Sequence, residues 1–444
     1  MNRAIDLRER AAEAYVYFYP LVVMELTRRQ LCVNALRSGR DLCADPMIRN
    51  PNIANAKWRS VARTNIDTLF SSCWLDIEDG PAEMYIPTGG SRFFMYQVLD
   101  MWSDTFAVLG SRTLGERDVT VRFVPRQFDS RYESQNGNDR SVVEIPTPTR
   151  FSWIIGRTFA STDEEDLRLA RRHQAGVTVT HEPAPSKLHD VASSDLGVAP
   201  IALVDRMTTG EFFEIADRLW RREGAHTTDW SQLLRLGPLG FSLEKPFVFS
   251  GQSHEVQRTL AEGVQLGAEM SRNRSSIHSR IGQWEQFQTS IGVYGNDYRR
   301  RAIVARYGLA ANPPEDAVYI STHEDERGGP LKCSERYSIH FPAGALPPAR
   351  YFWSITAYDP DGQFMDNKWN RYGLRSKDDL QFETDGSLRI VTGPTPPESM
   401  AELNWIPTVG ARFTLTLRMY GPNNDVLSGR WHPPAVRRTG GADT

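Results

Sequence analysis

Phe352-Trp353-Ser354-Ile355-Thr356-Ala357-Tyr358, running straight into Asp359-Pro360-Asp361-Gly362, is the stretch on which the fold turns. Aromatic and β-branched residues dominate it. A period of two puts Phe352, Ser354, Thr356 and Tyr358 on one face and the more apolar residues on the other. Pro presets φ and Gly accepts a positive φ, so the tetrapeptide closes the strand with a tight turn. Working outward, Arg336 to Phe341, Ser387 to Thr392 and Ala411 to Tyr420 repeat the pattern between turns. In the last of these, Thr414, Thr416, Arg418 and Tyr420 share a face.

The same texture occurs earlier, from Thr68 to Phe159. Leu69 to Ile77, Glu83 to Pro87 and Arg92 to Trp102 are separated by Gly80-Pro81 and Gly89-Gly90. Short runs with turn signals predict an antiparallel sheet, sandwich or barrel rather than a βαβ wind. Helical spacing marks Ile5 to Arg37, where Pro20 is expected to kink or interrupt the helix. Asp163 to Gln174 reads as a short charged helix. The region from Gly210 to Arg306 is helical, and its apolar stripes read as core packing. The expected class is mainly β with helical additions (α+β), two strand-dense domains joined by a helical segment. Its parts are 1–60 (helix and connection), 61–200, 201–314 (helical) and 315–444, with a tail fraying after Val436.

A chain of 444 residues exceeds one ordinary core. A net charge of -3 exerts no pull toward nucleic acid or anionic lipid. The charged start (Arg3, Asp6, Arg8, Glu9, Arg10) and the Pro20 inside Tyr15 to Met24 read as neither a secretory signal nor a membrane span. Cys32, Cys43, Cys73 and Cys333 lack CxxC spacing, so free thiols and a cytoplasmic setting are expected. Oligomeric state is not readable.

No strand-linked GxGxxG, P-loop, GxSxG elbow or paired-histidine motif occurs, so neither a nucleotide nor a metal cofactor is expected. The candidates are carboxylates and arginines among aromatics. If Tyr96 to Trp102 is one strand, Tyr96, Val98, Asp100 and Trp102 share a face. A carboxylate there is either paired or held with a raised pKa, as a general acid or base requires. The alternative is that Asp100 caps the following turn. Asn65 and Asp67, near Arg63, lead into the next strand and suit either a polar pocket or Asx turns. Arg157 is a possible partner for one of these acids. Arg418, Tyr420, Tyr358, Arg371, Tyr372 and Trp353 complete a surface suited to a small ligand, with Arg as anion clamp. That surface equally suits a buried seam between domains.

Several motifs resemble a known tandem. Tyr19-Pro20, Asn65-Ile66-Asp67-Thr68-Leu69, Leu99-Asp100, Gly110 to Gly115 and Gly156-Arg157-Thr158 resemble the family of unknown function numbered 1254. Phe352 to Asp359, Asn370-Arg371-Tyr372, Asp385 to Leu388, Asn404 to Pro407, Leu417 to Tyr420 and Trp431 to Pro434 resemble its companion numbered 1214. The resemblance implies two antiparallel sandwiches of jelly-roll type with helical additions, and no activity.

The reading that follows is a cofactor-independent enzyme doing acid/base chemistry (elimination, isomerisation, hydration or hydrolysis) on a small polar metabolite. Asp100, Asp67 and Tyr358 are the catalytic candidates. Asn65, Tyr96, Trp102, Arg157, Trp353, Arg371, Tyr372, Arg418 and Tyr420 are the binding candidates. A non-catalytic carbohydrate- or metabolite-binding protein and a structural role are the alternatives.

Overall fold

A computed structural model describes residues 2–42, 44–59, 62–126, 142–181, 197–287, 290–397 and 404–439. Helix α1 (Asn2–Arg37) is followed by β1 (Ile48–Asn50), β2 (Thr68–Asp76), β3 (Ala82–Ile86), β4 (Phe94–Asp100), β5 (Thr105–Gly110), β6 (Val119–Pro125), β7 (Val142–Thr147) and β8 (Phe151–Phe159). Next come α2 (Glu164–Gly176), β9 (Thr178–His181), α3 (Pro200–Arg206), α4 (Thr209–Glu223), α5 (Trp230–Leu236), α6 (His254–Arg272), β10 (His278–Ile281), β11 (Trp284–Phe287) and α7 (Tyr298–Tyr307). The chain ends with β12 (Ala317–Thr322), β13 (Tyr337–Phe341), β14 (Ala349–Tyr358), β15 (Gly373–Arg375), β16 (Leu388–Gly393), β17 (Trp405–Pro407), β18 (Thr414–Pro422), α8 (Asn424–Leu427) and β19 (Val436–Arg438).

The molecule is mainly strand with added helices. Among the described residues the strands form open sheets ordered β1-β2-β8-β4-β5, β7-β6-β3-β9, β10-β11-β12-β18-β14-β15 and β17-β16-β13-β19. Pairing is antiparallel except for β6 with β7 and β16 with β17, which are parallel.

The apolar faces pair these sheets. Cys73, Leu75, Tyr96, Val98 and Ile154 of the five-stranded sheet share one cluster with Met84, Val121, Phe123 and Val179 of the first four-stranded sheet. Ile320, Ile355, Leu415, Leu417 and Met419 share another with Ile339, Phe341, Ile390 and Val436. The helices cover the far side of the five-stranded sheet, where Trp74, Leu99, Met101 and Trp153 join α1 and α4.

Three expectations change. Helix α1 continues through Pro20. The lost hydrogen bond, worth about 3 kcal/mol or more in an isolated helix, is outweighed because the turns around Pro20 are buried on all sides. The helical middle also carries β10 and β11, which pair with β12 and extend the C-terminal sheet. Finally, Val436 is fully buried and its strand pairs with β13 through Arg438, so regular structure runs past the expected fraying point, and residues 440–444 of the expected tail lie outside the described residues. The two halves meet through Phe93, Met95, Phe352 and Tyr420. Arg112 adds a bidentate pair to Asp316 at 2.7 and 2.9 Å.

Candidate functional site

The two polar faces read from the sequence lie side by side. In the β14–β18 ladder Phe352 is opposite Tyr420, Ser354 opposite Arg418, Thr356 opposite Thr416 and Tyr358 opposite Thr414. Strand β12 adds Tyr319 beside Arg418 and Ser321 beside Thr416, and β11 adds Glu285 beside Ser321. Ladder neighbours are about 5 Å apart, so these side chains form one polar surface. It faces the N-terminal half.

Part of this surface is a sealed seam. The Ser354 hydroxyl donates to Asp67 Oδ2 at 2.7 Å, and the Tyr358 hydroxyl donates to the Thr64 carbonyl at 2.5 Å. Asp67 is fully buried and its Oδ1 has no hydrogen-bond partner; burial raises its carboxyl above the usual range. The Asn65 side chain accepts from the backbone of Asp67 and Thr68, the Asx turn that fixes the entrance to β2.

The rest of the seam opens into a cavity of about 740 Å³. Its walls include Arg63, Arg157, Arg274, Arg412 and Arg418, with Glu285 as the one carboxylate among the lining residues. Asn65, Asn312, Tyr319, Ser321, Thr416, His278 and His323 add polar groups, while Trp58, Phe70, Tyr307 and Phe413 add rings.

Arg63 and Arg418 are held by hydrogen bonds to neutral groups. Arg63 has φ 55, a left-handed conformation held by its N–H to the Gly362 carbonyl at 2.6 Å and by its own carbonyl, which accepts from Arg418 at 2.7 Å. The turn Asp359–Gly362 thus sets a cavity residue. Through its guanidinium Arg63 donates to Thr416 at 3.1 Å, and Arg418 donates to Thr356 at 3.2 Å. Arg157 Nε is buried without a hydrogen-bond partner. Arg63 is exposed as a whole residue, but desolvation of its guanidinium, with Arg418 and Arg274 nearby, lowers it below the usual guanidinium range. Burial opposes the charge on Arg418 too, but Tyr358, Tyr420 and Asp67 outweigh it and raise its pKa. For His278, burial and the neighbouring Arg274 lower the imidazole below its ordinary value.

Of the residues expected to form a site, Asn65, Arg157 and Arg418 line this cavity. Asp67, Tyr358 and Tyr420 are buried in the seam around it; burial lifts the Tyr420 hydroxyl well above the usual range, with Asp67 and Arg157 both within electrostatic reach. The others are elsewhere. Tyr96 is in the core between the N-terminal sheets, against Gly156. Trp102 is in the helical core because β4 ends at Asp100 and the turn carries its ring to the opposite side. Trp353 is in the C-terminal core. Tyr372 stacks on Phe364 at 4.7 Å. Arg371, half-buried, does not line the cavity.

Asp100 belongs to a separate buried group. One oxygen accepts from the backbone of Trp102 and Asp104, the expected turn cap. Its other oxygen lies 2.5 Å from His226 Nε2. Asp104 pairs with Arg301 at 2.8 Å, and Arg301 Nη2 is 3.4 Å from His226 Nδ1. Asp100, Asp104 and His226 offer three ligand atoms close together, but the fully buried Arg301 cation beside them opposes a metal ion. Arg157, expected to partner one of the acids, forms a salt bridge with neither Asp67 nor Asp100 among the described residues.

Sequence reasoning missed Asn312, Tyr319, Ser321, Glu285 and His278. Tyr319 and Ser321 alternate along β12 with a polar period of two, a signal that was there to find. The others join the cavity only through tertiary packing.

Residues 47–181 match the family described as "Protein of unknown function (DUF1254)", and residues 316–424 match "Protein of unknown function (DUF1214)". The VPA0106 protein from Vibrio parahaemolyticus has a similar structure, with TM-score 0.73 at 20% identity over 98% of this chain and 100% of that one. An uncharacterized protein from Burkholderia cenocepacia is more distant, with TM-score 0.44 at 12% identity over 99% and 95% of the two chains. No curated protein matches the chain.

Proposed function

Since the two family models that match the chain, DUF1254 over residues 47–181 and DUF1214 over residues 316–424, assign no activity, we propose its function from the seam cavity: it binds a small anionic metabolite there and acts on it by proton transfer. The observation that carries this reading is the charge of the walls, with five arginines facing one carboxylate. Arg418 is buried and Arg157 half-buried, with no salt bridge to a carboxylate among the described residues, while Arg63, Arg274 and Arg412 reach the walls from exposed positions. The two sequestered guanidiniums are costly unless an anion joins them. A carboxylate or phosphate oxyanion is the natural counter-charge for such groups.

Within this reading Arg157, Arg418 and Arg63 hold the anion and stabilise negative charge that develops during reaction. His278, kept neutral at pH 7, accepts the proton, and Glu285 nearby favours the resulting imidazolium. Asp67 and Asp100 give up the acid/base role assigned from sequence, because neither lines the cavity. Elimination, isomerisation, hydration and hydrolysis all fit this machinery. Each pair of sheets with a shared core is read as one antiparallel-rich sandwich, which makes the seam a junction between two rigid bodies.

Calorimetric titration of the full chain with a panel of small carboxylates and phosphates tests the proposal. Arg157→Met should weaken the tightest ligand at least about tenfold. His278→Gln should leave affinity within about twofold while lowering turnover by about a hundredfold or more. Unchanged affinity in Arg157→Met overturns the anion reading. Unchanged turnover in both His278→Gln and Glu285→Gln removes these groups from the chemistry, and absence of turnover of every bound ligand by the wild-type chain reduces the site to a binding role.

A further inference from the structure

A hydrogen-bond chain fixes the polarity of one cavity group. Its anchor is the Ala311 backbone carbonyl, which can only accept. Gln97 Nε2 donates to it at 2.9 Å and to Thr105 Oγ1 at 2.8 Å. The other end of that amide is therefore the oxygen, and it accepts from Asn312 Nδ2 at 2.7 Å. Asn312 in turn presents Oδ1, and the Tyr319 hydroxyl donates to it at 2.6 Å. Gln97 and Asn312 are both buried, so water does not compete for these positions. A backbone group thus settles the amide orientations that side chains alone leave open.

Tyr319 has one proton, and Asn312 holds it. The tyrosine oxygen then retains only lone pairs, and Tyr319 lines the cavity with Arg418 beside it in the ladder. We infer that Tyr319 is a dedicated hydrogen-bond acceptor that selects ligands carrying an O–H or N–H donor next to their anionic group, as in hydroxy or amino acids. This deepens the anion reading above and rests on it. A ligand lacking the donor leaves the Tyr319 oxygen desolvated and unpaired, and sites built around a substrate hydroxyl discriminate strongly for that reason.

The test uses matched probes on the full chain: malate with succinate, and 3-phenyllactate with 3-phenylpropionate, each beside the methyl ether of the hydroxy acid. The tighter-binding series is followed by calorimetry. The hydroxy acid is expected to bind about tenfold tighter than the deoxy acid, with the ether no better than the deoxy acid. Tyr319→Phe should abolish the hydroxyl preference by raising deoxy-acid affinity toward that of the hydroxy acid, because the oxygen that a deoxy ligand leaves unpaired is gone; retained binding also reports that the variant is folded. Asn312→Leu frees the tyrosine proton, so the ether should gain on the deoxy acid. If the wild-type protein binds the ether as tightly as the hydroxy acid, or Tyr319→Phe keeps the preference, this inference fails while the anion reading stands. If none of the acids binds, the anion reading itself fails and takes this inference with it.

Discussion

Asp100 meets His226 at 2.5 Å, with Asp104, Arg301 and Asp229 around the imidazole. The cap that Asp100 makes with its own turn was legible, because that role depends on neighbours in sequence. Its pairing with a histidine on the far side of α4 was not, because sequence spacing says nothing about which loops converge. The group has a pH signature. Burial works against the charged imidazole, but Asp100 outweighs it and raises the His226 pKa above 6.5. The stabilisation is therefore complete below pH 6.5 and lost as pH rises through the raised value. Burial also raises Asp104, to about 6, so its contribution likewise falls as pH rises from about 4 through 6. His226→Gln should cost about 2 kcal/mol at pH 6 and clearly less at pH 8.5, read by urea unfolding at both values. An equal loss at the two pH values would contradict the charged pairing.

Strand faces were readable at the scale of the element, and strand partners were not. Alternation alone placed Ser354 with Thr356 and Thr416 with Arg418, and the β14–β18 register sets these faces side by side. Nothing in either strand announced that β12 would lie beyond β18, or that the C-terminal sheet would recruit β10 and β11 from a stretch of helical texture. Those two strands are four residues each, too short to show a period. The helical stripes were correctly read as core, yet α1 and α6 also approach closely at a glycine. A Cβ at Gly263 of α6 would lie 2.3 Å from the Ala11 Cβ and 2.7 Å from its carbonyl carbon in α1. Backbone cannot yield as a flexible side chain would. Gly263→Val should destabilise the chain by about 3 kcal/mol, seen as a lower urea midpoint with an unchanged slope. An unchanged midpoint would show that α1 and α6 are not in this contact.

Taken whole, the molecule draws its cavity from both halves. Asn65 and Arg157 come from the N-terminal half, Tyr319, Thr416 and Arg418 from the C-terminal half, and Asn312 from the segment between them. This is why the candidate list was only partly gathered at one place: residue type pointed to arginine and amide, while the choice of residues depended on how the halves meet. The most direct measurement compares binding of a small carboxylate with its neutral primary amide, by calorimetry on the wild-type chain and on Arg157→Met. The carboxylate is expected to bind about thirtyfold tighter than the amide, and Arg157→Met to remove most of the difference. Equal affinity for acid and amide in the wild-type chain would contradict this expectation.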